Sequence, residues 1–402
     1  MTEIKTQRLP ARLRSLPGAA RLLDAFEGEH EVWVVGGAVR DVLLGRTPVE
    51  LDFVVEGDAA DVARRAATRL SGWAIVHARF GTTNVEAPGL RFDLATARRE
   101  RYPQPGALPE VALNASLAED LARRDFTVNA IAVRLDDGHV VAHPAALQDL
   151  REGVLRVLHD DSFLDDPTRL LRLARYSARL GFRAEEHTDA LARAAVVADT
   201  PATVSGPRLG AELRLLGREP QPTAVSELEA RGLGAAVLHP AFAVDAGVVQ
   251  RALELCPADG RSDLLALAAG CLNVPPAELH ARLDVLAFSA SERGPLAAAA
   301  AHAKALAAAL SGADRPSGIW MLLRREPVES VALAGALGPE GPARLWLQVL
   351  RHMRLEIGGN DLLGEGLEGP QIGRALDAAM AAALDGEAPG RAEQLAAALA
   401  VG

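Results

Sequence analysis

A short apolar, β-branched run, Val32 to Val35, ends in two glycines, Gly36 and Gly37, and an apolar helical pattern, Val39 to Leu44, follows at once. The run reads as a buried strand. Glycine has no side chain, so a Gly-Gly turn from strand to helix lets backbone N–H groups approach a phosphate closely. Arg40, one turn into the helix, adds a fixed positive charge. A second strand, Leu51 to Val55, opens on two carboxylates, Glu50 and Asp52. Side chains two apart on a strand face the same side, so the spacing predicts that both reach one pair of Mg²⁺ ions. A phosphate cradle beside a carboxylate pair is the layout required for phosphoryl or nucleotidyl transfer. It is not the dinucleotide fingerprint, whose third glycine is missing.

The rest of the chain limits what can surround this stretch. Its 402 residues suggest two or three domains, and an apolar content of 49% supplies their cores. A formal net charge of −10 argues against a protein that coats nucleic acid without selectivity. It leaves room for a local basic groove, so the placement of the arginines matters more than the sum. The two cysteines, Cys256 and Cys271, have no metal-site spacing and fit a reduced, cytoplasmic protein. Met1 to Pro17 is basic and polar, without the apolar core of a secretory signal. The alanine-rich run Leu296 to Leu310, broken by His302 and Lys304, is too short and too weakly apolar to span a membrane.

Along the chain, residues 1–30 predict one or two helices, 59–70 a helix and 73–77 a strand. Leu90 to Ala95 reads as a strand with Asp93 in its middle. A carboxylate there either takes a partner or a metal, or points to solvent from an edge. Asp93 is thus the candidate third carboxylate. Residues 98–116, with Pro103, Pro105, Gly106 and Pro109, read as a mobile loop beside the site. The polar cluster from Glu119 to Asn129 then places Arg124 and Asp125 where a ribose hydroxyl and a phosphate can be bonded; its alternative is a salt-bridged helix end. Residues 131–142 read as a hairpin, Val154 to Leu158 as a further strand, and from about residue 160 the pattern is helical.

A second active segment starts that helical part. Pro167 suits the first turn of a helix and Asp166 its cap. Arg169, Arg172, Arg175, Arg179 and Arg183 recur every three or four residues, an arginine stripe suited to a polyanion. Asp166 and Arg169 also suit base selection without a template. The carboxylate accepts from the exocyclic amine of cytosine or adenine, and the guanidinium donates to cytosine N3 and O2 or adenine N1. Guanine and uracil present the reverse pattern and would leave buried groups unpaired. On residue types alone, Asp166 as a plain cap with Arg169 as its surface neighbour is the stronger reading.

Taken together, these segments resemble the class II tRNA nucleotidyltransferase and bacterial poly(A) polymerase family of the polymerase-β-like superfamily. Gly36 to Asp41 with Glu50-x-Asp52 is similar to its first motif, and Arg123 to Ala130, including Asn129, to its ribose-selecting motif. Asp165-Asp166-x-x-Arg169 with Arg172 is similar to its amino-acid template for C and A. The resemblance implies an α+β protein: a nucleotidyltransferase head with a small mixed sheet (1–160), a helical neck (161–222), and a helical body and tail gripping tRNA (223–402). It implies addition of CMP and AMP to the tRNA 3′ end from CTP and ATP with Mg²⁺: the whole CCA, only CC or only A. Poly(A) synthesis and an inactive RNA-binding relative are the alternatives. Glu50 and Asp52 would hold the metal. Gly36, Gly37, Arg40, Arg124, Asp125, Asn129, Arg172 and Arg175 would bind the nucleotide, and Asp166 and Arg169 would read the base. Two acids depart from the usual pattern: Glu50 and Asp165 stand where aspartate and glutamate, respectively, are usual.

Overall fold

The computed structural model describes residues 9–77 and 81–401, so the first eight residues of the basic N-terminal stretch lie outside the described residues. The chain divides into two compact units, Met1–Ser205 and Gly206–Gly402. The first is mixed and the second helical, as an α+β head followed by all-α segments requires.

Eleven strands are described in the first unit: β1 Val32–Val35, β2 Asp52–Val55, β3 Trp73–His77, β4 Thr82–Ala87, β5 Leu90–Thr96, β6 Arg98–Arg101, β7 Glu110–Leu113, β8 Ile131–Arg134, β9 Val140–Ala142, β10 Val154–Leu155 and β11 Arg183–Ala184. Seven form one sheet in the order β3-β4-β5-β2-β1-β8-β9. In it β2 and β5 run parallel, and the other neighbours run antiparallel. Strand alternation sends Phe53 to one face and Val54 to the other. On the first face Phe53, Phe92 and Phe26 pack with ring centroids 4.9–5.8 Å apart. Each such buried ring stabilises the fold by roughly 1.5–3 kcal/mol relative to exposure. The helix Ala59–Arg69 is capped by Asp58 and buries Ala59, Val62, Ala63, Ala66 and Ala67. On the second face Val54 joins Trp33, Val35, Ala97, Ala130 and Ala132 under Leu117 and Leu121 of the helix Leu117–Ala122. Asp52, two residues before Val54, opens onto this second face.

Several local expectations need correction. The second strand starts at Asp52, so Glu50 lies in the preceding loop and strand alternation does not aim it. The first helix starts at Gly37, two residues early, because Gly36 takes a left-handed φ of 68° that caps it. Residues 98–116 are not a plain loop. β6 and β7 pair antiparallel from Arg98↔Leu113 to Arg101↔Glu110, and the prolines are confined to the connection. Cross-strand pairing of charged, exposed residues gives no hydrophobic alternation to read. Of Val154 to Leu158 only β10 is extended, and it pairs in parallel with β11, about thirty residues on.

The second unit runs in helices from Gly206–Gly217 to Arg391–Leu399. Gly206 and Gly210, one turn apart, let the first of these helices touch the backbone carbonyls of Val285 and Leu286, which any side chain would block. Near its end, Ile357, Leu362, Leu367, Ala375, Ala379 and Ala398 form a separate small core. Among the described residues no helix is long and apolar enough to cross a membrane.

Candidate active site

The cradle is built at the end of β1. Gly36 closes the strand by donating its N–H to the Ile131 carbonyl at 2.9 Å, then turns into the helix Gly37–Leu43. A β-carbon on Gly36 would stand 2.5 Å from Nη1 of Arg124. The backbone angle therefore demands glycine, and any side chain would have to displace the Arg124 guanidinium. Gly36→Ala is expected to cost about 1–3 kcal/mol of stability through strain. It is also expected to push Arg124 aside; melting curves of the variant and wild type check the loss of stability.

Arg124 donates through Nη2 to Asp120 Oδ2 at 3.0 Å, while its Nε is buried without a hydrogen-bond partner among the described residues. Such a donor is costly unless a ligand supplies the acceptor. Asp120 is fully buried. Burial would raise its carboxyl, but the adjoining charges of Arg123 and Arg124 hold it below its ordinary value, so it stays an anion that fixes both arginines.

The carboxylates converge on the same place. The register of β2 and β5 sets Asp52 directly beside Asp93. Asp52 is reachable by solvent but recessed among protein atoms. That recess, then the charge of Glu50 and, more weakly, Asp93, pushes its carboxyl up to about 6, with Arg124 pulling the other way. Asp93 is exposed, which removes burial as the reason for its importance, and Asn84 Nδ2 donates to its Oδ1 at 2.5 Å. Among the described residues no three acids, histidines or cysteines already form a coordinating group. Mg²⁺ commonly takes one or two carboxylates and completes its shell with water and substrate phosphate. A recessed aspartate whose carboxyl is raised by burial and then by neighbouring acids fits that demand, because a cation relieves the repulsion.

A polar chain runs behind the cradle. Arg40 is 1% exposed, and its guanidinium donates to Asp41 at 2.8 Å and to Asn129 Oδ1 at 2.5 Å. It thus braces Asn129 from below. Asn129 Nδ2 donates to Asp125 Oδ1 at 2.9 Å, and Arg172 donates to Asp125 Oδ2 at 2.6 and 2.8 Å. Burial alone would raise Asp125, but Arg172 and the Asn129 amide hold it well below the usual carboxylate range. The Tyr176 ring is ringed by Arg40, Arg172 and Arg175 at 5.2, 5.6 and 4.7 Å. The arginine stripe is therefore not an open polyanion face. Arg169 and Arg175 are buried and Arg172 is paired; the helix stops at Gly181, and Arg183 belongs to β11.

At the start of the helix Thr168–Leu180, Asp166 Oδ1 accepts from the Thr168 N–H at 3.1 Å and the Thr168 hydroxyl at 2.6 Å, so it does act as a cap. Arg169 donates to Ser162 Oγ at 2.7 Å and to the Arg123 carbonyl at 2.8 Å, which ties it to the residue beside Arg124. Arg169 also borders a cavity of about 490 Å³, shared with Tyr102, Arg123, His159 and Asp165. Burial and Arg169 lower the His159 pKa, leaving its ring uncharged at neutral pH. Burial, then Glu100, pushes the Tyr102 hydroxyl up to about 12. Tyr102, Ser162, His159 and Tyr176 were not singled out from sequence. Each is an isolated polar residue in an unremarkable local pattern, made relevant only by tertiary contact.

The poly A polymerase head domain matches residues 32–156. An A-adding tRNA nucleotidyltransferase from Aquifex aeolicus is 42% identical over 199 residues, which is 49% of this chain and 24% of that protein. The multifunctional CCA protein of Xanthomonas campestris is 31% identical over 412 residues, covering 88% of this chain and 98% of that protein. The chain belongs to the tRNA nucleotidyltransferase and poly(A) polymerase family. An A-adding enzyme from Geobacter sulfurreducens aligns with 98% of the chain at 33% identity, yet the chain spans only 49% of it. Less than two thirds of the length of the first such relatives is therefore represented here. The solved CCA-adding enzyme of Thermotoga maritima, complexed with tRNA, has a TM-score of 0.78 at 27% identity and covers 99% of both chains.

Proposed function

We propose that this chain transfers CMP, AMP or both from CTP and ATP to the 3′ end of tRNA without a template. The observation that carries this reading is the position of Arg124. Its fork reaches the Gly36 turn, its charge acts on Asp52, and one buried donor lacks an acceptor among the described residues. A triphosphate lying along Gly36 and Gly37 would meet Nη1 of Arg124 and bring its α-phosphorus toward the carboxylates. Glu50 and Asp52 would hold Mg²⁺, which when bound activates the RNA 3′-hydroxyl and neutralises charge on the leaving pyrophosphate. Arg40 and Asn129 keep the Asp125–Arg172 pair in place beneath the sugar. Asp166 and Arg169 select the base by the donor and acceptor pattern of cytosine and adenine. In this reading 1–160 is the catalytic head, 161–222 the neck, and 223–402 the body and tail that grip the acceptor end. The chain works in the cytoplasm, in keeping with its two free thiols.

The test incubates the protein and Mg²⁺ with tRNAs that end before the first C, before the terminal A, or after the complete CCA. Labelled CTP and ATP are supplied, and products are resolved to one nucleotide. Incorporation on the first two and none on the third is the expected result. Incorporation only before the terminal A supports a narrower A-adding reading, favoured by the names of the Aquifex and Geobacter relatives. Long A tails move the assignment to poly(A) synthesis, and no incorporation rejects catalysis.

Base selection has its own test. Asp166→Asn keeps a capping oxygen but adds an amide donor, so its melting temperature should stay near wild type while preference for CTP over UTP falls. Discrimination carried by a buried polar pair is commonly worth 10²-fold or more, and a drop of about tenfold or greater is expected. Unchanged preference would reduce Asp166 to a helix cap.

A further inference from the structure

One row of side chains crosses the sheet from the candidate centre to its edge. Asp52 on β2 is opposite Asp93 on β5, Asp93 is opposite Asn84 on β4, and Asn84 is opposite Ile75 on β3. Residues in direct register share a face, so Asp52, Asp93 and Asn84 stand side by side above the same surface. Asn84 Nδ2 donates to Asp93 Oδ1 at 2.5 Å, and Asn84 Oδ1 lies 2.5 Å from Nε2 of His77.

The chemistry of the amide makes this a directed chain. An asparagine side chain has one accepting and one donating end. His77 Nε2–H donates to the accepting end, which obliges the donating end to face Asp93. Without His77 the Asn84 amide is held at one end, by Asp93, instead of two, and its side chain gains freedom to swing. Asp93 Oδ2 receives no hydrogen bond from the described residues. An exposed carboxylate held at one oxygen loses most of its rotational freedom, and its other oxygen is then presented in one direction.

We infer that Asn84 and His77 are positioning residues that hold Asp93 so that Oδ2 faces the cation site at Asp52. The inference rests on the proposed nucleotidyl transfer and adds two residues to it. Groups that orient a metal-site carboxylate from behind typically change cation affinity by about 10–100-fold when removed. A purely structural cross-strand pair on an exposed face would change neither affinity nor turnover.

The experiment titrates Mn²⁺ into the full chain with CTP present and tRNA absent, reading free Mn²⁺ by electron paramagnetic resonance; turnover on tRNA is measured separately. Asn84→Leu is expected to weaken Mn²⁺ binding about tenfold or more. It should also lower kcat with little change in KM for CTP or tRNA. His77→Leu should act in the same direction, and His77→Gln, which keeps a donor at similar reach, should restore affinity. His77 is exposed, so the His77 pair decides the question even if Asn84→Leu fails to fold. Mn²⁺ affinity and kcat unchanged in both leucine variants, with wild type active, would overturn the role of Asn84 and His77 alone. A wild type that neither incorporates label nor retains Mn²⁺ beyond CTP would overturn the underlying function with it.

Discussion

Asp52→Asn is expected to lower kcat by about a thousandfold or more, the several kcal/mol that metal-assisted charge stabilisation supplies, while making the metal-free protein more stable. The two effects have one origin. Asp52 is crowded by protein atoms and by Glu50 and Asp93, so its ionised form is disfavoured in the folded chain and its carboxyl is pushed up to about 6. A raised carboxyl pKa means the folded state binds the proton more tightly than the unfolded state. The stability linked to that proton is present at low pH and is lost as pH climbs from about 4 through about 6. Asparagine carries no charge to repel, so the variant escapes that loss. Because Asp52 is open to solvent, the gain is discounted to about 1 kcal/mol. The check is a pair of melting curves in chelator at pH 4 and pH 7.5. The variant and wild type should nearly coincide at the lower pH, and the variant should melt higher at the upper. Mg²⁺ with CTP should then raise the melting temperature of wild type alone. A variant that turns over normally would remove Asp52 from the reaction.

How much of this was legible in the sequence depended on whether a signal was local. The strand–glycine–helix turn was readable because Gly36 and Gly37 interrupt a β-branched run, and the same economy made the helix Ala59–Arg69 and the strands β1, β3 and β5 readable. The aim of Glu50 was not, because the strand begins two residues later and alternation says nothing of a side chain in the loop before it. The arginines from 169 to 183 illustrate the other limit. Their spacing is helical as far as Leu180, but nothing in spacing says whether a guanidinium faces solvent or a buried acid. The acid that decides the case, Asp125, lies 47 residues away from Arg172. Asn84 was invisible for a similar reason: its importance comes from register between strands, and β4 carries no strong alternation to announce itself.

Asp125→Ala should then be the most destabilising single change at the site. Asp125 is 6% exposed and receives donors from Arg172, from the Asn129 amide and from the Phe126 N–H. Removing it leaves the Arg172 fork without its anion and the Asn129 amide without its acceptor, and Arg40 loses a rigid Asn129 to bond. Breaking a buried pair from one side typically costs about 3–5 kcal/mol, and the lower end applies here because Arg172 is partly exposed. In a unit of some two hundred residues that corresponds to a melting-temperature drop of roughly 6–20 °C. The pH dependence has the opposite sign from Asp52. Burial alone would raise Asp125, but Arg172 and Asn129 hold it well below the usual carboxylate range. Its stabilisation is therefore complete above the ordinary carboxylate pKa near 4 and disappears only as pH falls through the lower folded-state value. The gap between wild type and Asp125→Ala should accordingly be constant from pH 6 to 8 and narrow only in acid. Asp125→Asn, which keeps the shape and one acceptor oxygen, should recover part of the stability but leave Arg172 without the Asp125 charge. A gap that instead opened between pH 5 and 7 would mean that Asp125 titrates like a solvent-exposed acid or higher, and the Arg40–Asn129–Asp125–Arg172 chain would not brace the cradle.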